Sequence, residues 1–326
     1  MSIDGYSAYP TNLLPSSVID LKFKNMTNLS VIILTYNEEK NLDDCLKSVH
    51  RWAKDIFIVD SFSTDKTQKI ARNYTDKIYQ HPFENQSRQL NWALENLPIE
   101  TEWVMRLDAD EKVTDQLKDE LTLKLSAFDN DITGLYVNRK VFFLGRWIKH
   151  GGFYPTWLLR IWRTGKAYCE DRWLNEHIKL TEGKVTFLQN HIIDENKKNL
   201  HWWIGKHNNY STRYLVDLLN AKHNFQTNLI KPKLFGTQEQ RKVWLKEKVY
   251  VNSPLFVRPF LYFAYRYFLK FGFLDGIEGL IWHFLQGLWY MFLVDAKIYE
   301  IHKKAGKNTQ NIKKFLKEEY DLETSN

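Results

Sequence analysis

The stretch Trp103–Val113, WVMRLDADEKV, runs from apolar residues into three acids, Asp108, Asp110 and Glu111. A buried strand that ends in Asp-x-Asp places two carboxylates on the same side of an extended chain. Hard carboxylate oxygens suit Mg²⁺ or Mn²⁺, which proteins commonly hold with one or two carboxylates and the phosphates of a substrate. The motif therefore indicates a metal and diphosphate site. Taken alone, it is more typical of a solvated turn with acids at a helix N-terminus.

Polar residues end two other apolar runs in the same way. Thr35–Glu39, TYNEE, follows the run LSVIILT, and Asp60 ends the run DIFIVD. Three polar strand ends are expected to meet at the carboxyl edge of one sheet, where open α/β sheets bind ligands. The next residues, Ser63, Thr64 and Asp65, are predicted to cap the following helix. Neither GxGxxG nor GxxxxGK[ST] occurs, so metal and side chains such as Arg88 would have to meet phosphate charge.

The elements that position these residues alternate between strand-length apolar runs and amphipathic helical stretches from Leu29 onward. This alternation predicts an α/β fold with a Rossmann-like, mostly parallel sheet flanked by helices. Thr114 is the predicted N-cap of the next helix, and a long helix is predicted over residues 199–224. The segment 145–180, rich in Trp, Arg and Gly, is less regular and is predicted to line a substrate.

The last third of the chain carries almost all of the net charge of +7, with 16 Lys and Arg against 10 Asp and Glu in residues 231–326. Its longest charge-free run, Gly279 to Val294, has 16 residues, which predicts no simple transmembrane helix, since about 20 are needed. Basic and aromatic side chains recur at helical spacing, which predicts a helix lying in the interface of an anionic membrane. The basic stripe is Arg258, Tyr262, Arg266 and Lys270, opposite Phe256, Phe260, Phe263, Tyr267 and Phe271. The alternative is an ordinary helical core packed onto the first domain.

Composition excludes several classes of protein. The 326 residues, 44% hydrophobic, are enough for one large α/β domain with an appendage. Cys45 and Cys169 stand far apart without metal-ligand spacing, which indicates neither a disulfide framework nor a zinc site and suits a reducing compartment. The N-terminus shows no basic start followed by an apolar run, so we expect no secretory signal. The chain has no nucleic-acid-binding signature, and we expect no nucleic-acid partner.

Four stretches in order, VIILTYNEEKNLDDCLKSV, IFIVDSFSTDKTQKIA, NQSRQLNWALE and WVMRLDADEKV, resemble the nucleotide-sugar half of the family-2 glycosyltransferases, which have the GT-A fold. Later stretches, VNRKVFFLGRWIKHGGFYPTWLLRIWRTGKA, RWLNEHIKL and KHNNYS, are similar to the bacterial branch that builds lipopolysaccharide core, capsule or exopolysaccharide. The resemblance covers roughly residues 29–219. It extends more loosely to FLDGIEGL in the tail.

The resemblance implies a role for each matching residue. It assigns the lining of the nucleoside to the first strand end: Thr35, Tyr36, Asn37 and Glu38. Asp60 matches the acid that hydrogen-bonds the base, and Arg88 and Asn91 match a helix motif that faces the nucleotide. Asp108 matches the first acid of the DxD motif, which contacts ribose or metal. Asp110 matches the second, which ligates the metal bridging the diphosphate.

The resemblance also implies inversion at the anomeric carbon, for which one base must take the proton of the acceptor hydroxyl. Glu176 in LNEHIKL is the predicted base, and Asp171 in CEDRW is its rival because many relatives use a Glu-Asp pair. His177 would orient Glu176 or a substrate, or be structural. His191 is a candidate further metal ligand. A final set of side chains would give a sugar ring an apolar face or simply pack: Trp147, Trp157, Trp162 and Trp173.

The sequence thus predicts an arm over residues 1–28, a GT-A domain over 29–230 and a basic, aromatic-rich, helical, membrane-associating region over 231–326. Within the domain, residues 29–112 form the nucleotide-sugar half and 113–230 the acceptor half. The predicted activity is metal-dependent, inverting, hexosyltransferase-type transfer from a nucleoside-diphosphate sugar to a glycan or glycolipid acceptor at the cytoplasmic face of a bacterial inner membrane. The alternative is a non-catalytic nucleotide-sugar or carbohydrate binding protein on the same fold.

Overall fold

A computed structural model of the chain describes residues 26–170, 177–223, 233–236 and 238–320. Its strands are β1 (Thr27–Thr35), β2 (Ala53–Asp60), β3 (Ile78–Gln80), β4 (Trp103–Asp108), β5 (Glu111–Val113), β6 (Ile132–Phe143), β7 (Arg146–Ile148), β8 (Trp157–Arg163), β9 (Ala167–Cys169), β10 (Ile178–Leu180) and β11 (Lys184–Glu195). Within the described residues, nine of these strands form one sheet in the order β3-β2-β1-β4-β8-β6-β11-β5, with β7 added on β6. Strands β9 and β10 form a separate hairpin.

The helices are α1 (Leu42–Val49), α2 (Thr67–Ala71), α3 (Gln86–Asn96), α4 (Asp115–Lys124), α5 (Leu200–His223), α6 (Gln238–Trp244), α7 (Arg258–Ala264), α8 (Gly276–His283), α9 (Tyr290–Ala305) and α10 (Thr309–Tyr320). Three π-helical segments continue α6, α7 and α8, at Leu245–Tyr250, Tyr265–Leu269 and Phe284–Trp289. A 3₁₀ turn, Gly272–Asp275, precedes α8.

The predicted fold class is confirmed. Strands β3, β2, β1 and β4 are parallel. The continuous apolar runs of β1, β2 and β4 are buried on both faces, as expected for strands covered by helices. The sheet is mixed, because β8 runs antiparallel between β4 and β6. Thr114 caps α4 as predicted, its Oγ1 accepting from the N–H of Leu117 at 3.3 Å. The long helix α5 also follows the prediction closely.

The segment 145–180 is more regular than expected, since it contributes β7, β8, β9 and β10. Strand β8 lies in the middle of the sheet, and Trp162 on it is a fully buried core residue with no exposed face for a sugar. Trp157 packs its ring edge-on against Phe187, and the ring of Trp147 lies under the ammonium groups of two lysines. Trp173 lies outside the described residues.

The C-terminal helices pack on α5 and on the end of β6. Leu215, Leu218 and Leu219 of α5 form a buried cluster with Val294, Ile298 and Ile301 of α9. Trp282 of α8 packs against Phe143 and Trp203. The alternative of a helical core packed onto the first domain therefore holds for the inner side of this region. The division into domains at residue 230, and the arm at residues 1–28, remain predictions.

The predicted basic stripe is wrong, because its arginines face inward. Arg258 is buried and forms an ion pair at 2.6 Å with the fully buried Asp295. Arg266 is buried too, with Nε donating to the carbonyl oxygen of Gly151 at 2.9 Å and its guanidinium over the ring of Phe153. Lys270 of the predicted stripe is exposed, but most of the exposed side chains of these helices are apolar. This surface, named the apolar ridge, consists of Val257, Phe260, Leu261, Tyr265, Phe268, Leu269, Phe271, Phe273, Leu274, Ile277, Leu280, Phe284 and Phe292.

One continuous helical stretch among the described residues, Gly272–Ala305, is long and apolar enough to cross a membrane by length and composition. Its longest charge-free run, Gly279 to Val294, has only 16 residues, which is why the sequence predicts no simple transmembrane helix. The stretch also carries the buried side chains of Asp275, His283 and Asp295, which pack against the rest of the protein. It is therefore a candidate membrane-associating segment with one side committed to the protein core.

Candidate active site

The ends of β1 and β2 are joined by hydrogen bonds around Asp60. Its fully buried carboxylate accepts from Thr35 Oγ1 at 2.9 Å, from the backbone N–H and the hydroxyl of Ser63, and from Gln68 Nε2 at 2.9 Å. Four donors match the four lone-pair sites of a carboxylate. In this structure Asp60 holds two loops together, and its hydrogen bond to a nucleobase remains a prediction.

The loop after β1 is fixed from beneath and exposed above. Asn37 takes the left-handed conformation, with φ of 53°, that Asn tolerates better than most residues. Its backbone N–H donates to Ser63 Oγ at 2.8 Å, and its side-chain oxygen accepts from the N–H of Thr64 at 2.8 Å. Asp65 accepts from the N–H groups of Glu39 and Thr67, so the predicted capping residues tie two loops together. The ring of Tyr36 is exposed at the sheet edge, where it is accessible to a nucleoside.

An inner cluster of two acids and two arginines lies at the end of β4. The carboxylate of Asp108 accepts from Arg106 Nε at 3.2 Å and from Arg160 Nη2 at 2.9 Å. Burial alone would raise the pKa of Asp108, but the two guanidinium groups lower it well below its usual range. Both oxygens of Asp108 are thus occupied by cations of the protein, which disfavours the predicted direct contact with a metal.

Glu111 completes this inner cluster, in contrast to the expectation of a turn residue that favours a helix start. It lies on β5, is almost fully buried, and accepts from Arg160 Nη2 at 2.6 Å and from the N–H of Asp108 at 2.9 Å. Burial raises the pKa of Glu111 to about 8, while Arg160 opposes that shift. Arg160, on β8, was not singled out in the sequence. The surrounding sequence, WLLRIWR, does not alternate between apolar and polar residues and gives no signal for a buried ion pair.

Asp110 lies outside the inner cluster and faces a second set of charges. One carboxylate oxygen accepts from Asn196 Nδ2 at 2.9 Å, and the other makes no hydrogen bond with a described residue. Nearby Asp194 of β11 pairs with Arg139 at 3.2 Å. Burial raises the pKa of Asp194 to about 6; Arg139 opposes the shift, and the charges of Asp110 and Asp108 add to it.

Two lysines face this outer acidic edge from α5 and the loop before it. Lys198 Nζ lies 2.7 Å from Glu38 Oε1, and burial raises the pKa of Glu38 against the opposing effect of that lysine. Both Lys198 and Lys206 lie over the ring of Trp202, at 4.2 Å and 4.9 Å from its centroid. Burial would lower the pKa of Lys206, but surrounding groups raise it; they are Tyr210, Asp110, Glu38 and Asp194. No sequence pattern assigns a role to these lysines, because Lys198 lies in a lysine-containing loop typical of a solvated turn and Lys206 lies on a long helix far from Asp110 in sequence.

The carboxylates of this edge fit a divalent cation only together with ligands that a substrate supplies. Among the described residues, no group of three His, Cys, Asp or Glu side chains is arranged to hold a metal. Mg²⁺ is commonly bound through one or two carboxylates together with substrate phosphates, so such a cage is not required. Asp110, with one oxygen not hydrogen-bonded to a described residue, fits this role. His191 belongs to no such group among the described residues, and its role as a metal ligand remains a prediction; burial lowers the pKa of its ring, and Lys140 adds to that shift.

The two residues of the helix motif predicted to face the nucleotide, Arg88 and Asn91, make different contacts. Asn85 caps α3 by accepting from the N–H of Arg88, whose exposed side chain pairs with Glu84. Both ends of the Asn91 amide bond the backbone of Cys169 at 2.7 Å. Asn91 therefore anchors the β9–β10 hairpin rather than presenting its amide to a ligand.

That hairpin carries the predicted base. Its strands pair Cys169 with Ile178, and the N–H of Glu170 donates to the carbonyl oxygen of His177 at 3.0 Å. Asp171 and Glu176 lie in the intervening segment 171–176, outside the described residues. The base assignment remains a prediction, as does the orienting role of His177.

The chain is similar to several known proteins. Residues 30–175 match the family described as Glycosyl transferase family 2. The chain is 28% identical over 287 residues to the lipopolysaccharide core biosynthesis glycosyltransferase LpsC of Rhizobium meliloti (strain 1021), covering 84% of this chain and 93% of that protein. It is 25% identical over 295 residues to the uncharacterized glycosyltransferase RT0209 of Rickettsia typhi, covering 86% and 89%. The crystal structure of S. aureus TarS 1-349 in complex with UDP covers 86% of this chain and 92% of that one, with 18% identity and a TM-score of 0.37.

Proposed function

We propose that the protein transfers a sugar from a nucleoside-diphosphate sugar to a glycan acceptor, with inversion and with Mn²⁺ or Mg²⁺, because residues 30–175 match the family described as Glycosyl transferase family 2. The relative from Rhizobium meliloti is named for lipopolysaccharide core biosynthesis and is similar along most of its length. We therefore propose a lipid-linked or membrane-embedded glycan of the bacterial surface as the acceptor, and hexosyltransferase-type chemistry.

The observation that carries this proposal is the division of the acids at the end of β4. Asp108 is neutralised by Arg106 and Arg160, whereas Asp110 keeps one oxygen that bonds no described residue. A rigid inner ion cluster beneath an available outer carboxylate supports a binding site rather than a solvated turn. In the proposed site Asp110 holds the cation, and Asp108 holds the turn in place and contacts the ribose.

A divalent cation bound at Asp110 would neutralise the charge that develops on the departing diphosphate. The cationic side chains of Lys198 and Lys206 lie on the same edge, so they are placed to attract the diphosphate as it binds and as it leaves. The exposed ring of Tyr36 and the fixed loop around Asn37 would receive the nucleoside. Arg88 remains a proposed phosphate contact from α3.

We propose that Glu176 is the base that takes the proton of the acceptor hydroxyl, and that Asp171 is the alternative base. The residues that flank Asp171 and Glu176 belong to the β9–β10 hairpin, which Asn91 of α3 holds through the backbone of Cys169. Residues 170 and 177 therefore lie at fixed positions near α3. One base acting once gives a single displacement and hence inversion.

We place the protein at the cytoplasmic face of the inner membrane, docked through the apolar ridge. The ridge exposes aromatic and aliphatic side chains over a continuous stretch of α7, α8 and the segments between them. Contiguous exposed apolar surface of this kind marks membrane or protein interaction sites. Since the arginines of the predicted stripe are buried, we propose docking by apolar insertion, with anionic lipid as a secondary contribution.

The test compares Asp110→Asn with the wild type for release of nucleoside diphosphate from a panel of nucleotide sugars. Reactions contain Mn²⁺, Mg²⁺ or a chelator. We expect wild-type activity to require the cation, and the variant to lose on the order of 100-fold, as when one electrostatic contact to the developing charge is removed. Asp115→Asn, which alters an exposed acid on α4, is the matched control. Full activity of Asp110→Asn would overturn the metal assignment.

The same panel separates the enzyme from a non-catalytic nucleotide-sugar binding protein. A binder would show thermal stabilisation by a nucleotide sugar, abolished in Asp110→Asn, without any turnover in the wild type.

A further inference from the structure

A buried carboxylate of the C-terminal region holds one histidine of the first domain at two points. Asp275, 2% exposed, ends the 3₁₀ turn before α8. One of its oxygens accepts the backbone N–H of His150 at 2.8 Å, and the other lies 2.6 Å from Nδ1 of the same residue. A carboxylate accepts hydrogen bonds, so the imidazole carries its proton on Nδ1. In the neutral ring, Nε2 is then left with a lone pair.

The second ring nitrogen of His150 is accessible. The side chain is 31% exposed, and Nε2 makes no hydrogen bond with another described residue. A carboxylate on one imidazole nitrogen fixes the tautomer and the ring orientation for whatever binds the other nitrogen. Asp275 therefore orients His150 so that Nε2 is available to accept a hydrogen bond, and no described residue donates one to it.

The strand pairing indicates that His150 lies toward the same end of the sheet as the acidic edge. Met105 of β4 pairs with Ile161 of β8, which pairs with Leu135 of β6. Strand β6 is thus parallel to β4, and it continues to Phe143, well past the level at which β4 ends at Asp108.

Strand β7 then returns along this overhanging part of β6. Ile148 pairs with Val141, so the chain approaches the level of Arg139 at His150. The backbone N–H of Arg139 donates to the carbonyl oxygen of Thr156, and its guanidinium pairs with Asp194 beside Asp110. The loop from β7 to β8 is thereby tied to the outer acidic edge.

The C-terminal helices leave this loop little freedom. A Cβ at Gly151 would lie 1.9 Å from the ring of the buried His283 of α8, and φ at Gly151 is +69°. The N–H of Gly151 donates to the carbonyl oxygen of Lys270 at 2.9 Å, and its own carbonyl oxygen accepts from Arg266. The position of His150 is thus set jointly by the first domain and the C-terminal region.

We propose that His150 binds the acceptor by taking a hydrogen bond from one of its sugar hydroxyls at Nε2, and that Asp275 is the positioning residue that orients it. This inference rests on the proposed transferase function and deepens it. The C-terminal region then has two tasks, because it completes the acceptor side of the site as well as facing the membrane. No covalent step is assigned to His150.

The experiment uses the full-length chain and two reactions of the same donor. One is release of nucleoside diphosphate with water as the acceptor; the other is transfer of labelled sugar to the glycolipid fraction of a bacterial envelope. For His150→Leu we expect kcat/KM for transfer to fall about 10- to 100-fold, while donor hydrolysis stays within about twofold. His150→Gln, which retains a side-chain acceptor, is expected to recover at least about threefold of the transfer. Arg146→Ala, an exposed residue of β7, is the control.

Nitrogen NMR of histidine side chains supplies a readout that needs no turnover, with His150→Gln used for assignment. We expect His150 to be protonated on Nδ1 and its Nε2 resonance to shift when the glycolipid fraction is added. Unchanged transfer by His150→Leu, equal loss of both reactions, a proton on Nε2, or no shift would each overturn the proposal. If the wild type neither hydrolyses a donor nor transfers sugar, the proposed function fails, and the presence or absence of the shift still decides the role of His150.

Discussion

The acidic edge of the first domain and the C-terminal helices both bury charged pairs, but they leave opposite surfaces exposed. At the edge, Arg160 bridges Asp108 and Glu111 beneath Asp110, which remains accessible. In the C-terminal region Arg258 pairs with Asp295 in the interior, and the exposed side is the apolar ridge. The buried ion cluster around Arg160 therefore lies beneath the proposed chemical site. The buried pair of Arg258 and Asp295 lies beneath the apolar ridge, which is the proposed lipid-facing surface.

The largest effect is expected from removing one partner of each buried pair. Arg160→Met and Arg258→Met should each lower the free energy of unfolding by about 3–5 kcal/mol, since the first removes the cation beside Glu111 and leaves Asp108 with Arg106 alone, and the second removes the cation beside Asp295. Urea unfolding measures both. Donor hydrolysis, measured where the proteins remain folded, should fall more than about 100-fold only in Arg160→Met, because only that change removes one of the two arginines that hold Asp108 in place.

The double variant Arg258→Met/Asp295→Asn serves as the control for the C-terminal pair. It should recover much of the lost stability, because the charge left behind is removed as well. If Arg258→Met reduced hydrolysis as strongly as Arg160→Met, the proposed separation between a chemical region and a docking region would be wrong.

The same two pairs show what the sequence could predict. The strands β1, β2 and β4, and the acids at their ends, follow from local apolar runs and are placed correctly. Helical spacing also put Arg258 and Arg266 on one face correctly, yet it cannot tell which face is inward. Asp295, 37 residues further along, and the carbonyl oxygen of Gly151 decide that, and both are long-range partners.

Arg160 was missed for a related reason. Its meaning depends on β8 entering the sheet antiparallel beside β4, and the Trp- and Arg-rich segment around it gave no strand signal strong enough to predict that pairing. Lys206 and Asp194 are likewise brought to Asp110 only by tertiary packing. Side chains that follow a strand end in sequence were found, and those that arrive from another element were not.

A second, smaller effect concerns pH and two buried histidines, one on α5 and one on α8. Burial lowers the pKa of His207 to about 4, with Lys206 adding to the shift and the Trp203 carbonyl opposing it. Its Nδ1 bonds that carbonyl at 2.9 Å, and Gln286 Nε2 lies 2.8 Å from Nε2, so the neutral ring is satisfied. A second buried histidine, His283, has its pKa lowered to about 4 by burial and by Arg266, against Asp275.

A histidine whose folded pKa is depressed contributes stability that is fully present above its unfolded value, near 6.5, and is lost as pH falls toward 4. We expect each ring to account for up to about 3 kcal/mol over that window. Urea unfolding from pH 7.5 to 4.5 should show a decline that is shallower in His207→Gln than in the wild type. Parallel curves would show that His207 does not contribute, whatever the acids of the edge add to both proteins.

The smallest effect is expected from substitutions on the apolar ridge. Leu269 and Ile277, 70% and 67% exposed on the apolar ridge, should each lose roughly 1–2 kcal/mol of membrane binding when changed to Ser, with unfolding stability altered by less than about 0.5 kcal/mol. Vesicle flotation measures the binding, and Leu123→Ser, at a 76% exposed site on α4, is the matched control. Because Arg258 and Arg266 face inward, the wild type should bind neutral vesicles nearly as well as anionic ones. Binding that required anionic lipid and ignored the two ridge changes would favour electrostatic docking through other residues, and the apolar ridge would then need a protein partner instead.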